Sequence, residues 1–204
     1  MSTLIIDYGM GNLLSVKRAF EKCRADVFIS DNPEDVFKVD RIILPGVGAF
    51  KDGMNNLQKR GWADQIRKAV IDNEVPFLGI CLGMQLLADK GFEVDETEGL
   101  GLIKGEVRLL KSEDRKEKIP HVGWNEIEII NDSSLFKGIN DKTDFYFVHS
   151  YEFITDSNEN ILTKTPYCGG FVSSVGNKNI YGVQFHPEKS QKAGFKIIEN
   201  FLSL

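Results

Sequence analysis

Val75-Pro76-Phe77-Leu78-Gly79-Ile80-Cys81-Leu82-Gly83-Met84-Gln85-Leu86-Leu87-Ala88-Asp89-Lys90 decides how this chain reads. An apolar run meets a glycine, a cysteine follows, a second glycine comes two residues later, and Met84–Lys90 has a helical pattern. Strand, glycine, nucleophile, glycine, helix is the layout of a nucleophile elbow, in which the glycines let the backbone turn sharply and the reactive atom sits at a helix N-terminus. The thiolate is the reactive form of cysteine, and unpaired N–H groups at a helix start favour that anion. Phe185-His186-Pro187-Glu188 supplies the missing parts: His186 to take the thiol proton and Glu188, two residues on, to orient the imidazole. A lone cysteine after an apolar strand is more often a buried core residue, and a lone histidine in an apolar run more often a structural one. Both motifs in one chain, each ending a predicted strand, favour catalysis.

The same alternation extends outward from the elbow. Leu4-Ile5-Ile6-Asp7 reads as a strand leading through Gly9 and Gly11 into a helix carrying Leu13, Val16, Phe20 and Cys23 at helical spacing. Val27-Phe28-Ile29 and Arg41-Ile42-Ile43-Leu44 read as further strands, the latter stopped by Pro45-Gly46-Val47-Gly48. Residues from about 50 to 73 read as helical. This β-α-β-α-β order predicts an α/β fold with a mostly parallel central sheet flanked by helices. In the C-terminal half Glu106–Leu110, Glu126–Ile130, Phe145–Val148 and Ile180–Phe185 read as strands. Some alternate polar and apolar residues, which predicts additional antiparallel strands. Phe195–Leu204 reads as a closing helix. Gly48, Cys81 and His186 all fall just beyond predicted strands, where open α/β sheets build their sites.

The chain has 204 residues, 42% of them hydrophobic, so one domain spanning 1–204 is expected. The net charge of −5 and the lack of a basic run give no nucleic-acid footprint. Lys111–Lys118 mixes both signs and reads as a solvated loop. Met1–Asp7 reaches an acid after a short apolar run, unlike a secretory signal, and no stretch approaches the roughly 20 apolar residues of a membrane span. Three cysteines without paired spacing suggest reduced thiols and a cytoplasmic protein. Gly9-Met10-Gly11-Asn12-Leu13-Leu14 suggests a dinucleotide fingerprint, but Leu14 stands where the third glycine belongs, and a tight turn into a helix is the better reading. No phosphate loop is present. His121, His149 and His186 lack metal-ligand spacing, so neither metal nor cofactor is expected.

Four stretches together resemble the class I (triad) glutamine amidotransferases: Pro45–Phe50, Gly79–Leu87, Pro120–Asn125 and Gly182–Ser190. With Ile6–Leu13 and Tyr146–Tyr151 they resemble, within that family, the glutaminase subunits of imidazole glycerol phosphate synthase. The match runs from about residue 4 to residue 202. The resemblance implies hydrolysis of L-glutamine to glutamate and ammonia by a triad of Cys81, His186 and Glu188, through a thioester. It implies oxyanion donors at the backbone of Leu82 and Val47, the latter in a turn that must flip a peptide before it can donate. Gln85, Glu93, Gly48 and the backbone around His149, Ser150 and Tyr151 match residues that bind the substrate glutamine, although the surroundings of Glu93 depart from the family pattern.

The resemblance also implies a partner. A glutaminase acting alone would waste glutamine, and this chain has no second catalytic apparatus. A separate (β/α)₈ cyclase subunit would receive the ammonia in a heterodimer, with Trp124, Asn125, Tyr146 and Lys189 at the interface. The histidine-pathway acceptor competes with a paralogous role feeding a sugar amidotransferase of surface polysaccharide biosynthesis. A cysteine peptidase, a γ-glutamyl hydrolase and a non-enzymatic regulatory module compete as well.

Overall fold

Alternation along three apolar strands fixes the centre of the molecule, whose computed structural model describes residues 1–112 and 117–204. Of the mixed-charge stretch 111–118, residues 113–116 lie outside the described residues. Strands β1 (Ser2–Ile6), β2 (Asp26–Ser30), β3 (Arg41–Gly46) and β4 (Phe77–Cys81) alternate with helices α1 (Leu13–Lys22), α2 (Phe50–Lys59) and α3 (Trp62–Arg67). Successive strand side chains point to opposite faces. Leu4, Ile6, Ile42 and Leu44 therefore pack with Met54, Leu57, Trp62 and Ile66 of α2 and α3. Ile5, Ile43, Leu78 and Ile80 pack on the other face with Val16, Ala19 and Phe20 of α1. The glycine-containing turn before α1 is a helix cap: Asn12 Oδ1 accepts from the Ser15 N–H at 3.3 Å.

The second half begins with α4 (Leu82–Gln85) and continues through β5 (Lys90–Phe92), β6 (Glu96–Glu98), β7 (Gly105–Leu109), β8 (His121–Glu126), β9 (Glu128–Ile129), β10 (Asp144–His149), β11 (Tyr151–Thr155), β12 (Ile161–Thr165), β13 (Phe171–Asn177), β14 (Ile180–Val183) and α5 (Gln191–Phe201). The main sheet has eight strands in the order β2-β1-β3-β4-β14-β13-β12-β9. From β2 to β14 the neighbours run parallel. From β14 to β9 they run antiparallel. The sheet is thus mixed, with helices on both faces, and α5 adds Ile197, Ile198 and Phe201 to the α1 side. A four-stranded sheet, β11-β7-β5-β6, and the β8–β10 pair complete the architecture. Among the described residues no helix is long and apolar enough to cross a membrane.

Several local expectations differ from the structure for identifiable reasons. The helix expected over Met84–Lys90 ends at Gln85, because the Gly99–Ile103 segment takes its carbonyls: the Leu100, Leu102, Gly101 and Gly99 N–H groups bond the oxygens of Leu86, Leu87, Ala88 and Asp89. The helix expected over 50–73 is interrupted at Gly61, which adopts φ +76 between α2 and α3. Pro45 does not stop β3, which runs on to Gly46. β1 pairs only with Arg41–Ile43, so at Pro45 the strand is laddered to β4 alone and its missing N–H costs no bond to β1. The strand expected over 126–130 is divided at Ile127, a buried residue where the chain passes from the β10 ladder to the β12 ladder.

The elbow itself is a close approach of backbones. A Cβ on Gly83 would collide with the Leu44 carbonyl of β3, and one on Gly79 with the Gly83 carbonyl. Neither obstacle is a flexible side chain. Gly83→Ala is expected to lower unfolding stability by on the order of 3 kcal/mol, the upper end of overpacking costs. Chemical denaturation measures this directly; an unchanged midpoint would mean that α4 can back away from β3.

Candidate active site

Three parallel strands, β3, β4 and β14, lie side by side and end together. Gly46 pairs with Cys81, and Ile80 with Val183. The segments that follow them, 47–49, 82–85 and 184–188, therefore converge at one edge of the sheet although they come from distant parts of the chain. Cys81 stands at the bend with φ +56 and ψ −109, a backbone state rare for a residue with a side chain. Only 7% of it is exposed. Its sulfur makes two hydrogen bonds, each at 3.7 Å: it donates to the Val148 carbonyl and accepts from Gln184 Nε2.

His186 and Glu188 complete the cluster. His186 Nδ1 lies 2.8 Å from Glu188 Oε1. Both side chains are buried. His186 is fixed by its backbone as well, its N–H donating to the Tyr146 carbonyl at 2.9 Å. Ser190 Oγ donates to the His186 carbonyl at 2.7 Å and accepts from the Tyr146 N–H at 3.0 Å, tying the imidazole's backbone to β10. Among the described residues His186 Nε2 has no hydrogen-bond partner and is buried, which leaves one ring nitrogen uncommitted. Burial works against a charge on this imidazole, but the Cys81 sulfur and the Glu188 carboxylate overcome it and raise the pKa to about 9.

A cavity of about 420 Å³ opens in front of Cys81. Val47, Gly48, Leu82, Gln85, Glu93, His149, Ser150 and Tyr151 line it, so every residue expected to bind substrate or an oxyanion reaches this wall. Glu93 Oε2 accepts from the Phe50 N–H at 2.6 Å, where an anion meets the start of α2. Gln85 Nε2 donates to the Tyr151 carbonyl at 3.0 Å and to Gln184 Oε1 at 2.9 Å. Both amide hydrogens are thereby used, and its oxygen is what remains for a ligand.

Two features escaped sequence reading. Gln184 is fully buried against the sulfur; it lay in the matching stretch Gly182–Ser190, as a polar residue inside the apolar run Val183–Phe185, and was given no role. The other is a pair of neutral histidines. His149 Nδ1 donates to the Tyr151 carbonyl at 2.9 Å, since a carbonyl can only accept. His149 Nε2 must then accept from His121 Nδ1 at 3.1 Å, and His121 Nε2 from Asn125 Nδ2 at 3.3 Å. Asn125 is oriented consistently, its oxygen accepting from the Glu126 N–H. Burial lowers the His121 pKa to about 4. Burial, with His121 and His186 nearby, lowers that of His149 to about 3 despite its bond to Tyr151.

The expected interface residues also gather. Trp124, 47% exposed, pairs across the β8–β10 ladder with Tyr146, the rings edge-on at 6.0 Å. Lys189 Nζ sits 5.6 Å from the Tyr146 ring centre. Asn125 differs in facing His121 as well as the surface.

The sequence model of the family described as glutamine amidotransferase class-I matches residues 4–204. The chain belongs to the class-I glutamine amidotransferases. This amidotransferase is 48% identical over 200 residues to "Imidazole glycerol phosphate synthase subunit HisH 1" of Campylobacter jejuni, with 98% of each chain covered. It is 44% identical over 208 residues to the HisH subunit of Pelagibacter ubique, with 100% of each covered. It is 46% identical to that of Aquifex aeolicus, covering 98% of this chain and 96% of the other. Among solved structures, one of a glutamine amidotransferase aligns with a TM-score of 0.76 at 17% identity, covering 98% and 97% of the two chains. A chain of PurLQS from Thermotoga maritima gives 0.73 at 19%, covering 99% and 97%. At such identities these structures speak for the fold alone.

The two neutral histidines make stability fall in acid. Each has a folded pKa below the ordinary 6.5, so between pH 6.5 and about 4 the unfolded chain binds more protons than the folded one. Unfolding free energy is expected to drop over that window by up to about 1.4 kcal/mol per pH unit for each imidazole. Denaturation curves across pH check this, and the fall should be shallower in His121→Gln.

Proposed function

We propose that this amidotransferase is the glutaminase subunit of imidazole glycerol phosphate synthase in histidine biosynthesis, working as a heterodimer with a (β/α)₈ cyclase subunit. The observation that carries the chemistry is the convergence of Cys81, His186 and Glu188 beside the cavity. The full-length likeness to synthase subunits carries the pathway and favours it over a polysaccharide acceptor.

Cys81 attacks the side-chain carbonyl carbon of glutamine, and its proton is held by His186. The uncommitted Nε2 is the atom that carries this proton, while Glu188 fixes the ring through Nδ1. The imidazolium then gives the proton to the departing amide nitrogen, ammonia leaves, and Cys81 is left as a γ-glutamyl thioester. Water adds to the thioester, His186 takes its proton, and glutamate is released with the thiol restored. The tetrahedral intermediates carry an oxyanion that needs N–H donors. Leu82, first in the unpaired turn of α4, and Val47, in the turn after β3, line the cavity; their N–H groups, that of Val47 after a peptide flip, take that role. Gly48, Gln85, Glu93 and the backbone of His149, Ser150 and Tyr151 hold the glutamine. Glu93 faces its α-amino group.

Trp124, Asn125, Tyr146 and Lys189 form the surface that meets the cyclase. An exposed tryptophan edge-on to a tyrosine, with a lysine over it, offers the aromatic anchor typical of interface centres. The Tyr146 backbone bonds His186 directly, so docking occurs one residue from the base.

Two experiments test this reading. Cys81→Ala abolishes glutaminase activity while the complex still forms, and His186→Asn costs on the order of 10²–10⁴-fold, more than Glu188→Gln, because the base moves the proton itself. A more damaging Glu188→Gln would reverse the roles. Pull-down of the cyclase followed by glutaminase assay gives the second: cyclase and its ligand raise kcat, and Trp124→Ala weakens the complex by about 2 kcal/mol, some 30-fold in Kd. A chain fully active alone and indifferent to the cyclase favours a free hydrolase.

A further inference from the structure

We propose that Gln184 is a catalytic residue of this amidotransferase, whose side-chain amide donates a hydrogen bond to the Cys81 sulfur and stabilises the attacking thiolate. This rests on Cys81 being the nucleophile. Gln184 Nε2 lies 3.7 Å from the sulfur, and the residue has no exposed surface.

The direction of that bond is fixed by a chain of constraints rather than by the amide alone. The Tyr151 carbonyl can only accept, so the group Gln85 turns toward it is Nε2. The second hydrogen of that nitrogen goes to Gln184, which must meet it with its oxygen. Gln184 is left with its NH₂ toward Cys81. Flipping its amide would place a carbonyl oxygen against the sulfur and two NH₂ groups against each other. The Gln184 backbone is pinned as well, its N–H donating to the Ser173 carbonyl at 2.9 Å.

The electrostatic need is specific. Cys81 sits among Ile80, Val183 and Phe185 in an apolar cluster, where an anion without donors is costly. The Val148 carbonyl, also bonded to the sulfur, is an acceptor and favours the neutral thiol. Beside the His186 imidazolium, Gln184 is a second side chain positioned to favour the anion by donation, and hydrogen bonds to charged groups are about twice as strong as neutral ones. It also joins the nucleophile to Gln85 on the cavity wall, so one pair of amides touches both the reacting atom and the substrate site.

The alternative is a strut between β14 and α4. A strut would affect stability and leave thiol reactivity at each pH unchanged. Alkylation of the whole chain by iodoacetamide, without glutamine, separates the two when the Cys81 peptide is followed by mass spectrometry as a function of pH. In Gln184→Leu the Cys81 profile is expected to move alkaline by about one pH unit, a roughly tenfold slower reaction below the inflection, with the high-pH plateau retained. Gln184→Glu keeps the size and the bond from Gln85 but sets a carboxylate against the sulfur. It should move the profile at least as far, and it supplies the measurement if the leucine variant does not fold. Superimposable profiles in a folded variant would overturn the proposal. If wild-type Cys81 reacts no faster than Cys23 and Cys168, the nucleophile assignment fails instead.

Discussion

The site depends on one backbone constraint: β4 must end against β3 closely enough for α4 to begin in contact with the Leu44 carbonyl. Gly83 permits that approach, Gly79 permits the return of the chain above it, and Cys81 is left in a left-handed state between them. Strain of this kind persists only where the surroundings over-determine it. Here they do, because the parallel ladders fix Cys81 opposite Gly46 and Ile80 opposite Val183. Strand order then does the rest. Inserting β14, the last strand in sequence, beside β4 carries His186 and Glu188 to Cys81 without any long loop reaching across the molecule.

Three buried histidines share this low-dielectric region, and their pKa values shift in opposite directions. His121 and His149 face carbonyls, amides and each other, and the His149 bond to the Tyr151 carbonyl does not offset the cost of charging that ring. Their pKa values fall to about 4 and about 3. His186 is equally buried but stands between a sulfur and a carboxylate, and rises to about 9. Burial is common to all three, and the partner decides. Neutrality is also what gives the His121–His149 pair its direction. With one proton per ring, the chain from Asn125 to the Tyr151 carbonyl has a single consistent set of donors.

How much of this was legible in the sequence follows from how local each feature is. The proposed nucleophile, base and carboxylate, Cys81, His186 and Glu188, could be singled out because each lies in a short motif of telling residue types. The α/β class followed from the period of the first half. The extent of α4 was not readable, since it ends where backbone groups of residues 99–103 capture its carbonyls. Strands β11, β12 and β13 went unread because their mixed residues take their pattern from cross-strand partners, including the buried hydroxyl group of Thr163 with Ser173 and Ser174. Gln184 belonged to a recognised motif and still had no role, because its meaning lies in a bond to Gln85, 99 residues away in the chain.

The same geometry shows how the proposed docking surface would be connected to the chemistry proposed beneath it. Two connections leave the β8–β10 pair. Through Tyr146 one backbone bond reaches His186, with Ser190 clamping both. Through Asn125 a chain of neutral imidazoles reaches the Tyr151 carbonyl, which also anchors Gln85 and, beyond it, Gln184 and the sulfur. One route ends on His186 and the other on Cys81. A ligand shifts such a network only to the extent that it binds one arrangement better than another. A docked surface that holds β8 and β10 in register would meet that condition, because register sets where the Tyr146 carbonyl and the His121 ring stand. Coupling along these routes would need no large motion, since the bonds at each end tolerate only a few tenths of an ångström before they are lost.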